Sequence, residues 1–140
     1  MVMKIELPKW EFIPDIGLYL EQVNKFVNEY VPKNQGMELT PTMITNYVKL
    51  KIVPKGYKKT YSACQIAEFI IIAYLKTVIS MDQIRLLFRH YDMNNKTKEF
   101  YNLFSSALAG KKTEDDIVNS LVSGISNKIE LNEMIDKLDA

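Results

Sequence analysis

The side chains best suited to chemistry lie between Thr40 and Tyr61, in TPTMITNYVKLKIVPKGYKKTY. At helical spacing Thr42, Thr45, Asn46 and Lys49 fall at i, i+3, i+4 and i+7 and share one face. Hydroxyl, amide and ammonium groups of this kind bond phosphates and base edges, and Asn46 has the amide that can meet adenine through both its donor and its acceptor. Lys49, Lys51, Lys55, Lys58 and Lys59 add five positive charges, and the stretch holds no Asp or Glu. The chemistry on offer is recognition of a polyanion. Thr42, Thr45, Asn46 and Lys49 suit base and groove contacts, and Lys55, Tyr57, Lys58 and Lys59 suit phosphate.

Such groups act together only if the chain holds them together. Thr40 can cap a helix with its hydroxyl, and Pro41 fits the first turn, where its missing N–H costs nothing. Ile44, Tyr47 and Val48, flanked by Met43 and Leu50, make the other side apolar. A helix from Pro41 to Leu50 is roughly 15 Å long and suits a DNA major groove about 12 Å wide. Pro54 ends any helix, and the residues after it read as a tight basic turn around Gly56. Ile52–Val53 and Lys59–Tyr61 are the only strand candidates. Upstream, Trp10, Phe12 and Ile13 anchor an irregular arm over residues 1–13. Pro14 then opens a supporting helix with Ile16, Leu20, Val23, Val27 and Tyr30 at helical spacing, closed by Pro32 and Gly36.

Downstream, Ser62–Gln65 and Ser80–Gln83 are capping boxes. The first starts a helix reaching about Thr77, with Ile66, Phe69, Ile70, Ala73 and Tyr74 as its main stripe, buried on most sides. The second starts a helix with Ile84, Leu87, Phe88 and Tyr91 inside and Arg85 and Arg89 on the wet side. Phe100, Leu103, Phe104, Ala107 and Leu108 mark the next helix, with Gly110 as its cap. Ile117, Leu121 and Ile125, then Leu131, Met134, Ile135 and Leu138, mark one or two last helices, broken near Gly124 to Asn132. The expected fold class is all-α.

Helix, Ile-Val-Pro, a basic Gly-Tyr turn, then Tyr61-Ser62 and a new helix with Ile66 resembles the MerR class of winged helix-turn-helix regulators. That class shows a Ser/Thr-Pro cap, an amphipathic recognition helix, a Leu-Leu-Pro exit, a basic Gly-Tyr-Arg wing, and Tyr-Ser into the next helix. Ser80–Phe88, SMDQIRLLF, is similar to the opening of its fourth helix. Two departures stand out. Lys51 stands where the class carries Gly, and Thr42 and Thr45 stand where it carries arginines. A closer likeness covers nearly the whole chain: LPKWEFIPDIGLYLEQV with TPTMITNYVKLKIVPK resembles an uncharacterised bacterial family known only as domain of unknown function eighteen thirty-six, itself regarded as helix-turn-helix-like.

These resemblances imply a MerR-like (winged) helix-turn-helix core, Asp15 to His90 within residues 1–92, and a C-terminal helical extension over 93–140. They imply a cytoplasmic bacterial transcription regulator that binds double-stranded DNA. Thr42, Thr45, Asn46 and Lys49 would enter the major groove, and Lys55, Tyr57, Lys58 and Lys59 would grip phosphate. Regulators of this kind bind paired half-sites, which implies a homodimer, here through C-terminal helices carrying Phe100, Phe104, Leu108, Ile117, Leu121 and Ile125. The alternatives are a protein–protein interaction module on the same fold without DNA binding, or a small-ligand sensor with Met81, Met93 and Phe104 lining its pocket.

Composition bounds these readings. The chain has 140 residues, 47% hydrophobic and 25% charged, which fits one domain with or without an extension. The net charge of +1 is segregated: residues 1–36 carry −1, 37–90 carry +5 and 91–140 carry −3. A basic middle between acidic ends is the footprint of a nucleic-acid-facing unit on a scaffold. The single Cys64 leaves no internal disulfide and fits a reducing cytosol. MVMKIELPKWEF, interrupted by charge and proline, does not read as a signal peptide. The longest apolar run, Phe69–Leu75, falls far short of the roughly 20 residues that span a bilayer. His90 and Cys64 are too few for a conventional zinc site, the five glycines are scattered rather than gathered in a phosphate loop, and Glu114-Asp115-Asp116 matches a helix dipole. No enzyme, metal or cofactor is expected.

Overall fold

The structure is a computed structural model that describes residues 5–139. Residues 1–4 of the arm expected to be irregular, and Ala140 of the extension, lie outside the described residues. The fold is mostly helical, as expected. Six α-helices and one two-stranded sheet are formed among the described residues: β1 (Leu18–Tyr19), α1 (Leu20–Asn28), α2 (Pro41–Lys49), β2 (Thr60–Tyr61), α3 (Ala63–Leu75), α4 (Met81–His90), α5 (Thr97–Leu108) and α6 (Asp116–Asp136).

α3 is the axis of the molecule. Its capping box forms as expected: Ser62 Oγ accepts from the Gln65 amide, and Gln65 Oε1 accepts from the Ser62 amide at 2.8 Å. Every side chain from Ile66 to Leu75 is buried, because helices wrap it on several sides. α1 packs on α3 and on α2; α5 packs on α3; α6 covers α5 and α3. A helix apolar all round needs such a surrounding. Its one polar exception is Glu68, fully buried, whose carboxylate accepts from Thr97 Oγ1 at 2.7 Å. Its other oxygen has no partner, and burial pushes the carboxyl up to about 7.

Four local expectations change. The supporting helix does not begin at Pro14 but at Leu20, and Ile16 is 87% exposed. Gly17 is left-handed (φ +81°) and breaks the helical path, while Asp15 accepts from the Ala63 amide at 2.9 Å. The chain this frees makes β1, which pairs antiparallel with β2 in the register Leu18↔Tyr61 and Tyr19↔Thr60. Ile52–Val53 is consequently no strand but a buried bend, and the sheet partner comes from the N-terminal arm. Of the arm's anchors, Trp10 stands edge-on to Tyr101 and Ile13 is buried, but Phe12 is exposed. The break expected near Gly124 is absent: α6 runs unbroken, because Val118, Leu121, Ile125 and Ile129 keep one buried face across the glycine. A glycine inside a helix costs about 1 kcal/mol, less than that continuous burial returns.

The same packing overturns the surface assigned to a homodimer. Phe100, Phe104, Leu108, Leu121 and Ile125 are all buried inside their own chain, and only Ile117 is exposed. Phe104 stacks on Phe100 and lies in the core with Met93, so these residues do not line a common pocket with the half-buried Met81. No helix of the described residues is long and apolar enough to cross a membrane.

Candidate nucleic-acid interface

α2 forms as its sequence dictates. Thr40 Oγ1 accepts from the Met43 amide at 3.1 Å, Pro41 opens the first turn, and Ile44 and Tyr47 are buried against the rest of the fold. Thr42, Asn46 and Lys49 stand exposed, and with Met43 and Thr45 they line a shallow depression of about 220 Å³. Thr45 is half-buried and its hydroxyl donates to the Thr42 carbonyl at 2.9 Å. That bond leaves its oxygen able to accept but not to donate elsewhere. Met43, whose position flanks the apolar side, reaches the exposed one and adds a methyl-bearing contact among the polar groups. The connection into α2 is long, and Asn28 holds it: its amide accepts from the Leu39 N–H at 2.8 Å and donates to the Leu39 carbonyl at 2.9 Å.

The exit from α2 is a Schellman cap. The Ile52 amide reaches back to the Tyr47 carbonyl at 3.1 Å, the Lys51 amide to Val48 at 3.0 Å, and Ile52 is buried beneath. The position that glycine ordinarily fills in this motif holds Lys51 at φ 60°. The Arg85 guanidinium closes the same helix end, donating to the Leu50 carbonyl at 3.0 Å while bonding Asp82 at 3.1 Å. Arg85 therefore braces α2 from α4, and Lys51, Arg85 and Arg89 surround a cleft of about 450 Å³ there with Asp92.

The basic turn is braced from two further sides. The capping Gln65 of α3 also donates through Nε2 to the Pro54 and Lys55 carbonyls at 2.9 and 3.2 Å. At its far end β2 is held by β1. The reversal itself is not at Gly56. It runs from Tyr57 to Thr60, whose amide donates to the Tyr57 carbonyl at 2.9 Å, through Lys58 (φ 48°) and Lys59 (φ 65°). Gly56 is needed for a different reason: a Cβ there would lie 2.5 Å from the Thr60 carbonyl oxygen. Two consecutive left-handed residues are the pattern of a type I′ turn, ordinarily filled by Asn-Gly. Tyr57 is 76% exposed, with the Lys58 ammonium 5.5 Å from its ring centre.

The eight residues singled out from sequence thus converge on one side of α2 and its adjoining turn. Thr45, Lys49, Lys55 and Lys59 also border a cleft of about 380 Å³ with an apolar floor of Leu20, Val48 and Tyr61. Among the described residues none of the five lysines has an acidic side chain within ion-pair distance. Positioning residues that sequence reasoning missed are Asn28, Gln65 and Arg85. Gln65 was visible as a cap but not as a tether, because its second bond reaches a carbonyl ten residues upstream. Burial and the charges of Glu68, Asp15 and Glu99 push the Cys64 thiol up, which disfavours its thiolate.

A family model described as Domain of unknown function (DUF1836) matches residues 8–104. The chain belongs to that family. The DUF1836 span takes in the arm from Pro8 onward, β1, the whole basic face and α3, and stops inside α5 at Phe104, so α6 lies outside it. No curated protein and no solved structure matches the chain.

Proposed function

We propose that the protein is a transcription regulator that binds double-stranded DNA, with α2 as the recognition helix of a MerR-like helix-turn-helix and the basic turn as its wing. One observation carries the reading. Lys51, Lys58 and Lys59 all sit in the left-handed region, where each non-glycine residue costs roughly 1–2 kcal/mol. Glycine or asparagine would serve these turns better. What lysine adds is charge, at exposed positions where none of the three lysines is ion-paired among the described residues. Strain kept at a site whose neighbours brace it is a mark of function rather than of stability.

In this reading α2 lies in the major groove, and Asn46 bonds one adenine through both groups of its amide. Thr42 and Lys49 bond bases or adjacent phosphates, Thr45 accepts, and Lys55, Tyr57, Lys58 and Lys59 fix the register on the backbone. The wing differs from a self-paired hairpin in that β1 supports it. A second reading, a protein-interaction module, is favoured by the apolar cleft of Leu20, Val48 and Tyr61 beside the lysines. The two readings separate by selection from a randomised duplex library at about 50 mM salt, where phosphate contacts are strong. DNA binding predicts a selected site, and Asn46→Ala relaxes preference at one base pair by about 1–3 kcal/mol. No retained duplex at that salt overturns the DNA reading. A homodimer through Phe100, Phe104, Leu108, Leu121 and Ile125 is not part of this proposal, because those residues are buried in their own chain.

A further inference from the structure

The last turns of α6 carry an unsatisfied surface. Leu131, Met134 and Ile135 share one face at i, i+3 and i+4, and Leu138 follows in the 3-10 turn beyond. All four are exposed, Leu138 at 83%. Glu130 and Asp139 flank that face, beside one lysine, Lys137, whereas Glu133 and Asp136 lie on the far side of the helix. Upstream the helix is fixed, because Ile125 and Ile129 are buried and Asn132 Nδ2 donates to Gln35 Oε1 at 2.9 Å. The stripe cannot turn inward on its own chain without unpacking that seam.

Self-pairing of two such stripes is disfavoured by charge. An antiparallel pair centred between Met134 and Ile135 sets Leu131 opposite Leu138 of the second copy. It then sets Glu130 opposite Asp139 at both ends of the seam. A parallel pair places each acid beside its own copy. Like charges held at such positions repel. The surface calls for an apolar groove with a basic rim, and the chain has one. The cleft of about 380 Å³ beside α2 has Leu20, Val48 and Tyr61 on its floor and Lys49, Lys55 and Lys59 at its edge. An amphipathic helix laid in a groove through i, i+3 and i+4 anchors is a common mode of recognition.

We infer that the acidic, apolar end of α6 docks into the basic cleft of a second copy of this chain, and that reciprocal docking about a twofold axis makes a dimer whose DNA-facing surface is covered. The dimer is then a stored form, and dilution or polyanion competition releases the active protomer. The cleft's role in DNA binding rests on the function proposed above, but the docking itself does not.

The test is sedimentation equilibrium of the full chain without DNA, so that failure of the DNA reading leaves it intact. The expected result is a dimer with a micromolar dissociation constant that weakens as salt rises. Ile135→Asp and the double variant Lys55→Glu, Lys59→Glu each weaken it at least tenfold. Mixing that cleft variant with Glu130→Lys, Asp139→Lys restores association, because one altered cleft then meets one altered helix. Circular dichroism shows that each variant is folded. A wild-type chain that stays monomeric at about 100 μM, far above a micromolar dissociation constant, overturns the inference. So does a cleft variant that dimerises like wild type while Ile135→Asp does not, which would assign the stripe to another copy of itself.

Discussion

α3 and the segment from α2 to β2 follow opposite rules within one small chain. In α3 nearly every residue serves packing: its cap is satisfied, its circumference is buried, and its one buried charged side chain is bonded through Thr97. In the α2–β2 segment residues run against local stability. Three lysines hold left-handed backbone, a tyrosine stands in solvent, and clustered positive charges have no acid to offset them. The rest of the fold holds that segment in place through Arg85, Gln65 and β1. The difference separates residues that serve the fold from residues that local stability does not explain.

The contrast can be broken most forcefully in α3. Phe69→Ala should cost about 3–5 kcal/mol by denaturant unfolding, a large fraction of the roughly 5–15 kcal/mol that holds an ordinary domain together. A midpoint that barely moves would show that this helix is not the axis. Next comes its polar exception. Burial raises the Glu68 carboxyl to about 7 from an ordinary 4.5, so in the folded protein it ionises only near neutral pH. The stability it permits is full below pH 4.5 and falls as pH rises toward about 7, where the buried side chain must also ionise. Above that the loss is complete, on the order of 3 kcal/mol. Glu68→Gln should remove this dependence, read as denaturant midpoints at pH 5 and pH 8. A slope that survives the substitution would place its origin elsewhere.

The basic turn should respond with the opposite sign. Lys58→Asn with Lys59→Gly gives the turn the residues its backbone prefers. Stability should rise by about 1–2 kcal/mol while DNA affinity falls. A variant that is no more stable would mean that the left-handed turn is not strained by its lysines, and the argument for function from strain would fail with it.

How much of this was legible depended on how local each determinant is. Thr40, Ser62 and Ser80 cap helices through residues three positions away, so the sequence displays both partners at once. The stripe of α3 is read the same way. β1 was illegible because two residues beside Gly17 become a strand only by meeting Thr60 and Tyr61 much further along. Lys51 was legible as a lysine in a glycine's place, but left-handed Lys58 and Lys59 were hidden because turn chemistry points to Gly56, whereas that glycine answers a close approach to Thr60. Gly124 misled in the opposite direction, since a buried stripe on both sides outweighs one flexible residue. The composition of the candidate site was readable throughout. Its three braces were not, because Arg85, Gln65 and β1 each act across sequence distance.

The central claim, that strained and braced lysines serve a polyanion, is tested most directly by the salt dependence of duplex binding at protein concentrations well below the micromolar range. If about four of the five lysines meet phosphates, log K falls against log salt with a slope near −3.6 per protomer, and replacing Lys55, Lys58 and Lys59 by Ala flattens it by about 2.7 and weakens all duplexes alike. A slope that the triple variant leaves unchanged, or a duplex that neither protein binds at about 50 mM salt, would contradict the account.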